Sequence, residues 1–179
     1  MTSVTVYCGS LSTVPDSYLD LAARVGTGIA KRGWSLVWGG ATVSMMGALA
    51  RAARDGGART VGVIPLGLQS REIADLGADE LHVVGNMRER KALMDDRGDA
   101  FLALPGGLGT CEELFEVWTS GYLGMHDKPV VLLDVDDHWA GLISWVYQLL
   151  ERGFVSAKAL DFLHVTTDVD AALDACTRH

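Results

Sequence analysis

Residues 101–118 read FLALPGGLGTCEELFEVW: a short apolar run, a turn holding three glycines, then a stretch with helical spacing. An apolar run this brief, bounded by Pro and Gly, suits a strand covered on both faces. Glycines accept positive φ and let backbone N–H groups approach a ligand closely. A helix beginning just beyond aims its unpaired N–H groups and its dipole at the turn. Pro105-Gly106-Gly107-Leu108-Gly109-Thr110 is therefore expected to hold a phosphate, although it is neither GxGxxG nor equipped with the Lys of a P-loop.

The same strand, turn and helix order repeats outward from this segment. The patterning predicts strands over residues 4–8, 35–38, 60–64, 81–84, 100–104 and 130–134. Helices are expected over 16–32, 43–55, 87–97, 111–122 and 139–152, with a last one over 169–176. Such alternation implies an α/β fold, a single Rossmann-like domain with a mostly parallel β-sheet flanked by helices on both faces. Glycine and polar residues gather just past the strands, at Gly9-Ser10, Gly39-Gly40, 65–70 and 105–110. In open α/β sheets that edge is where ligands bind.

Composition narrows the classes of function. The 179 residues suit one domain of about 100–200 residues. Fifteen basic against 23 acidic residues leave a net charge of −8, which disfavours nucleic acid polymers but tolerates a small phosphate ligand in a local positive pocket. No uncharged apolar run approaches the ~20 residues of a membrane span, and Met1 leads directly into VTVYC without a signal-peptide pattern. The expected location is the cytoplasm. Three scattered cysteines and five histidines offer neither a disulfide framework nor metal-ligand spacing, so no metal and no cofactor are expected.

Individual residues carry two readings each. Thr110 and Glu113 are spaced as a capping box, which is common in purely structural settings. A carboxylate beside a bound anion would repel it, so a functional Glu113 must face a sugar instead. Glu112 lies about 100° round the helix, as a solvated or dimer-facing acid, and Cys111 reads as small filler. Asn86 and Glu89 mark another helix start, yet Arg88, Arg90 and Lys91 crowd its first turn, where the dipole disfavours cations. Met87, Arg90 and Met94 share one face, so Arg90 points inward and needs a carboxylate or phosphate, or a structural salt bridge, while Arg88 faces solvent. Gly47 inside a helix calls for close approach by backbone or ligand. Met45 and Met46 read as core filler, and Arg71-Glu72 as an exposed pair in the absence of other information. Leu114, Phe115, Trp118 and Tyr122 form an aromatic helix face that suits either core or a dimer interface.

Taken together these motifs resemble the LONELY GUY (LOG) family. PGGLGTCEE, residues 105–113, fits P-G-G-x-G-T-x-x-E at every fixed position, and MRERK, residues 87–91, fits the companion Met-x-x-Arg-Lys element. WGGATVSMMG, VGVIPLGLQSRE and YLGMHDKPVVLLD follow the family's order, so the likeness spans nearly the whole chain. It implies a homodimer that hydrolyses the N-glycosidic bond of cytokinin riboside 5′-monophosphates, AMP or both. It further implies Arg90 and Glu113 as the catalytic pair. Contacts to the substrate are implied for Glu72, Lys91 and the Gly106, Gly107, Leu108, Gly109, Thr110 loop, with Gly9, Ser10, Gly39, Gly40 and Gly47 at the same edge. Ala41, Ser44 and Arg88 stand where the family usually has Gly, Gly and His, at what is expected to be the substrate-facing rim.

The chemistry these residues suggest is loss of a base through an oxocarbenium-like sugar, which a carboxylate stabilises. Three other classes compete. A pyridoxal-dependent decarboxylase needs a positioned lysine, and Lys31, Lys91, Lys128 and Lys158 offer no recognisable setting. A nicotinamide oxidoreductase needs a dinucleotide fingerprint that Cys8-Gly9-Ser10-Leu11 lacks. A non-catalytic nucleotide-binding module needs only the phosphate cradle and is the main alternative.

Overall fold

The computed structural model describes residues 2–69 and 74–177. The expected Glu72 contact and the Arg71-Glu72 pair lie outside the described residues. Seven strands, β1 (Ser3–Tyr7), β2 (Ser35–Trp38), β3 (Thr60–Pro65), β4 (Glu80–Val84), β5 (Ala100–Ala103), β6 (Val130–Leu133) and β7 (Leu163–Thr166), form one sheet in the order β4-β3-β2-β1-β5-β6-β7. Every pairing in it is parallel.

Parallel neighbours need crossover connections, and here helices supply them. They are α1 (Asp16–Lys31), α2 (Ser44–Asp55), α3 (Leu66–Gln69), α4 (Met87–Arg97), α5 (Leu108–Tyr122), α6 (Ala140–Glu151), α7 (Ala157–Phe162) and α8 (Val169–Ala175). Because side chains alternate across a strand, each strand feeds two cores. Val4, Val6, Leu36, Trp38 and Leu102 pack with α1, α2 and α8 on one face. Tyr7, Val37, Val63, Phe101 and Leu132 pack with α4 and α5 on the other. This two-sided burial is why the strands read as unbroken apolar runs.

The chain leaves β1 toward β2, β3 and β4, then returns to place β5 on β1's other side, with Val4 opposite Ala100 and Tyr7 opposite Ala103. Strand order reverses between β1 and β5, and a crevice opens at their carboxyl ends. There Gly9 N–H donates to the Pro105 carbonyl at 3.2 Å.

Two glycines expected at a ligand edge have backbone reasons instead. A Cβ on Gly47 would sit 1.9 Å from the Thr42 carbonyl oxygen, so the chain entering α2 is what approaches it. Gly40 turns at a φ of +74° against the β3 backbone at Gly62 and Val63. Neither lines the cavity described below. The β7 strand and the short α7 before it, absent from the sequence-based reading, occupy the sheet's far edge, where β7 is only partly buried.

Gly47→Ala is expected to lower stability by about 2 kcal/mol or more, the scale of overpacking a tight site. Gly141→Ala in α6, where a Cβ meets nothing within 4 Å, should be neutral or stabilising by up to ~1 kcal/mol. Urea unfolding of the two variants checks both signs.

Candidate active site

Arg90 sits in the first turn of α4, and its side chain is carried inward beneath the ends of β2 and β3. Asn86 starts this helix: its side-chain oxygen accepts from the N–H groups of Arg88 and Glu89, both at 3.0 Å. Glu89 closes the cap by accepting from Gly85 N–H at 2.7 Å. The helix thereby holds an arginine only 5% exposed. Its Nε donates to the Val63 carbonyl at 3.0 Å and Nη2 to the Gly39 carbonyl at 2.7 Å. Gly39 must lack a side chain for this, since a Cβ would lie 2.1 Å from Nη2.

Opposite, the glycine loop leads into α5, and the structure corrects its expected start. Gly107, not Thr110, is the N-cap, and no side chain caps the helix. The first intrahelical bond runs from Cys111 N–H to the Gly107 carbonyl, so the N–H groups of Leu108, Gly109 and Thr110 have no intrahelical acceptor. Thr110 is buried inside the first turn, its hydroxyl where a Cβ on Gly106 would fall, 2.1 Å away. The glycines let the helix begin three residues early, and the capping box is not formed. Glu113 lies one turn further on and is half-buried.

Gly9, Ser10, Gly39, Arg90, the Pro105–Thr110 residues and Glu113 all line one cavity of about 670 Å³ at the β1/β5 switch. Met45 and Met46 belong to the core, as expected, and also form part of its wall. Buried Cys8 lies near both charged residues: burial, reinforced by the negative charge of Glu113 and opposed by Arg90, pushes its thiol far up. The thiol is neutral and is no nucleophile.

A family model described as "Possible lysine decarboxylase" matches residues 46–176. A protein of Mycobacterium tuberculosis named cytokinin riboside 5′-monophosphate phosphoribohydrolase is 55% identical over 174 residues, covering 97% of this chain and 92% of the relative. One of the same name from Mycobacterium marinum is 53% identical over the same shares. The chain belongs to the LOG family of phosphoribohydrolases. Its fold is also that of the molybdenum cofactor carrier protein from Chlamydomonas reinhardtii, with a TM-score of 0.73 at 24% identity, covering 97% of this chain and 94% of that one.

The LOG motifs do not all reach the cavity in this chain. Lys91 is buried but turns away from it to pair with Glu112 and Glu116 of α5, which explains both a basic first turn and the exposed Glu112. Of the departures from the family pattern, Ala41, Ser44 and Arg88 stand outside the cavity wall rather than on its rim. Ser44 has a φ of +49°, a region that suits the family's glycine, and its hydroxyl donates to the Leu11 carbonyl at 2.8 Å. Arg88 is exposed, as its helix position predicts. Leu114 and Trp118 belong to the core, with Phe115 and Tyr122 packed against it; Trp118 Nε1–H donates to the Ala159 carbonyl.

Sequence reasoning missed two contributors to this site. His138, on the turn after β6, brings Nε2 within 3.2 Å of Gly106 N and 2.9 Å of Gly106 O, and no motif in the sequence marks it. Tyr7, at the end of β1, lines the cavity and donates to Asp95 of α4 at 2.9 Å. Burial outweighs that hydrogen bond and pushes the Asp95 carboxyl up to about 6, with Glu116 adding and Lys128 opposing.

The folded Asp95 therefore keeps its proton to about pH 6, whereas an ordinary aspartate loses it near 3.8. The folded state binds the extra proton between those values, so this group's contribution to stability falls as pH rises through that window. Asp95→Asn, which still accepts from Tyr7, should gain stability relative to the wild type between pH 4 and 6 and hold that gain above pH 6. A difference in urea midpoint that stays flat from pH 4 to 7 would contradict this.

Proposed function

We propose that the chain hydrolyses the N-glycosidic bond of adenine-type nucleoside 5′-monophosphates, releasing the free base and ribose 5-phosphate. The observation that carries this reading is the meeting of a buried arginine, a carboxylate and a glycine-rich helix N-terminus in one cavity. Its volume of about 670 Å³ falls within the range of small-molecule sites. The relatives' names, which specify cytokinin riboside 5′-monophosphates, support the substrate class.

In this mechanism the N–H groups at the start of α5 and the hydroxyl of Thr110 receive the 5′-phosphate. Binding energy from this remote group is spent on the transition state, so it raises turnover as well as affinity. Glu113 faces the ribose, stabilises the positive charge that develops there, and takes a proton from the attacking water. The water oxygen bonds to the anomeric carbon as the bond to the base breaks, and the base carries away the electron pair and is protonated. Arg90, fixed by the Gly39 and Val63 carbonyls, holds the phosphate or ribose and favours departure of the base. Glu72 completes the substrate contacts. Lys91, through its pairing with Glu112 and Glu116, fixes α4 against α5 and so sets the separation of the catalytic pair.

The working unit in this reading is a one-domain protomer in a cytoplasmic homodimer. Its interface includes Trp145 of α6, 50% exposed, and Phe154 just beyond the helix, 79% exposed. Light scattering is expected to give twice the 19.1 kDa chain mass, and Trp145→Glu should shift the protein toward monomer. A wild-type monomer at micromolar concentration would overturn the dimer.

Purified protein should release base from AMP and from isopentenyladenosine 5′-monophosphate, followed by chromatography. Glu113→Gln and Arg90→Ala should each lose about 10²–10⁴-fold in rate, the usual worth of a positioned acid–base group. Adenosine should be a poor substrate, and equal turnover of adenosine and AMP would overturn the phosphate's role. Tight AMP binding without base release would favour a non-catalytic nucleotide-binding module.

A further inference from the structure

The turn after β6 is built to deliver one ring to the glycine loop. Asp136 and Asp137 both take positive φ, 58° and 54°, without being glycine. The Asp134 carboxylate, itself buried, fastens the turn by accepting from Trp139 N–H at 2.8 Å. Between them His138 stands edge-on to Trp139, with ring centroids 4.7 Å apart, and to Tyr18 of α1 at 5.9 Å. Held on two sides, its ring meets the loop through Nε2 and lines the cavity.

That nitrogen lies 3.2 Å from Gly106 N and 2.9 Å from Gly106 O. One imidazole nitrogen cannot serve both. With its proton on Nδ1, Nε2 accepts from the Gly106 N–H; with its proton on Nε2, it donates to the Gly106 carbonyl and leaves that N–H to another acceptor. Gly106 is the second residue of the cradle that receives the phosphate in the function proposed above, on which this inference rests.

We propose that His138 is a positioning residue for the glycine loop, exchanging the Gly106 N–H for the Gly106 carbonyl when a phosphate binds. In the empty site the ring accepts from the N–H and fixes the peptide. A phosphate oxygen displaces it from that donor, the imidazole proton moves to Nε2, and the ring then holds the carbonyl. The peptide is thus oriented in both states, and the proton passes from Nδ1 to Nε2 with solvent as carrier.

Two substitutions separate the hydrogen bond from the ring packing. His138→Phe keeps the edge-on contacts to Tyr18 and Trp139 but has no nitrogen. His138→Gln offers both an acceptor and a donor without the ring. Ribose 5-phosphate should bind the Phe variant about tenfold more weakly, because the Gly106 peptide loses the hydrogen bond that orients its N–H toward the phosphate, a loss of about 1.4 kcal/mol. KM for AMP should rise by a similar factor with a smaller fall in kcat, as expected when part of the phosphate's binding energy serves the transition state, and the Gln variant should recover most of both losses. In the wild type, the ¹⁵N resonance of His138 Nε2 should move from an acceptor to a donor position on saturation with ribose 5-phosphate and stay in place with ribose. Unchanged affinity and KM in the Phe variant, or an Nε2 resonance that does not move while ribose 5-phosphate binds, overturns the proposal. A wild type that neither binds ribose 5-phosphate nor releases base from AMP overturns the phosphate reading itself, and this inference with it.

Discussion

A guanidinium cannot be taken out of water unless acceptors replace its hydration, and Arg90 shows how much of the surrounding architecture follows from that. Its acceptors are main-chain carbonyls at Val63 and Gly39, available because β3 and the end of β2 lie side by side with α4 packed over them. The residue at position 39 has no side chain because the guanidinium occupies that space. The N-terminus of α4, an unfavourable place for cations, is steadied by the Asn86 cap and by Glu89. Lys91, next along, is offset by two acids of α5. Placing these two buried cations thus ties together two strands, two helices and a glycine.

Desolvation then shapes the chemistry of the cavity wall. Cys8 and Tyr7 both feel Glu113, and burial keeps both in their neutral forms. With the neighbouring thiol and phenol silent, Arg90 and Glu113 are the charged side chains on the cavity wall among the described residues. This is the arrangement that electrostatic stabilisation of a developing charge requires.

Much of this was legible in the sequence, for reasons that differ between elements. Strands covered on both faces are unbroken apolar runs, so FLAL and VVLL declared themselves, and the inward placement of Arg90 followed from its spacing with Met87 and Met94. The start of α5 was misread because Thr110 and Glu113 satisfy a capping pattern, while the glycines before them allow the helix to begin earlier; a sequence pattern does not say which of two possible starts packs better. β7 was invisible because an edge strand buries little and LHVT carries no strong period. Lys91 was given a ligand role by resemblance, yet the acids that draw it away are 21 and 25 residues along the chain. His138 lay beyond reach for the same reason: its relation to Gly106 is a product of strand order alone.

The strand order has a consequence for how the molecule comes into being. β1 is bounded on one side by β2, made soon after it, but on the other by β5, whose partner residues stand almost a hundred positions later in the chain. Closing so long a loop is costly before contacts reward it, and such non-local pairing slows folding. During synthesis the β1 edge must therefore wait, unpaired, until the ribosome has delivered and released β5. The crevice between Gly9 and Pro105 does not exist until that strand docks, so a nascent chain stopped short of it carries half a sheet and no active site.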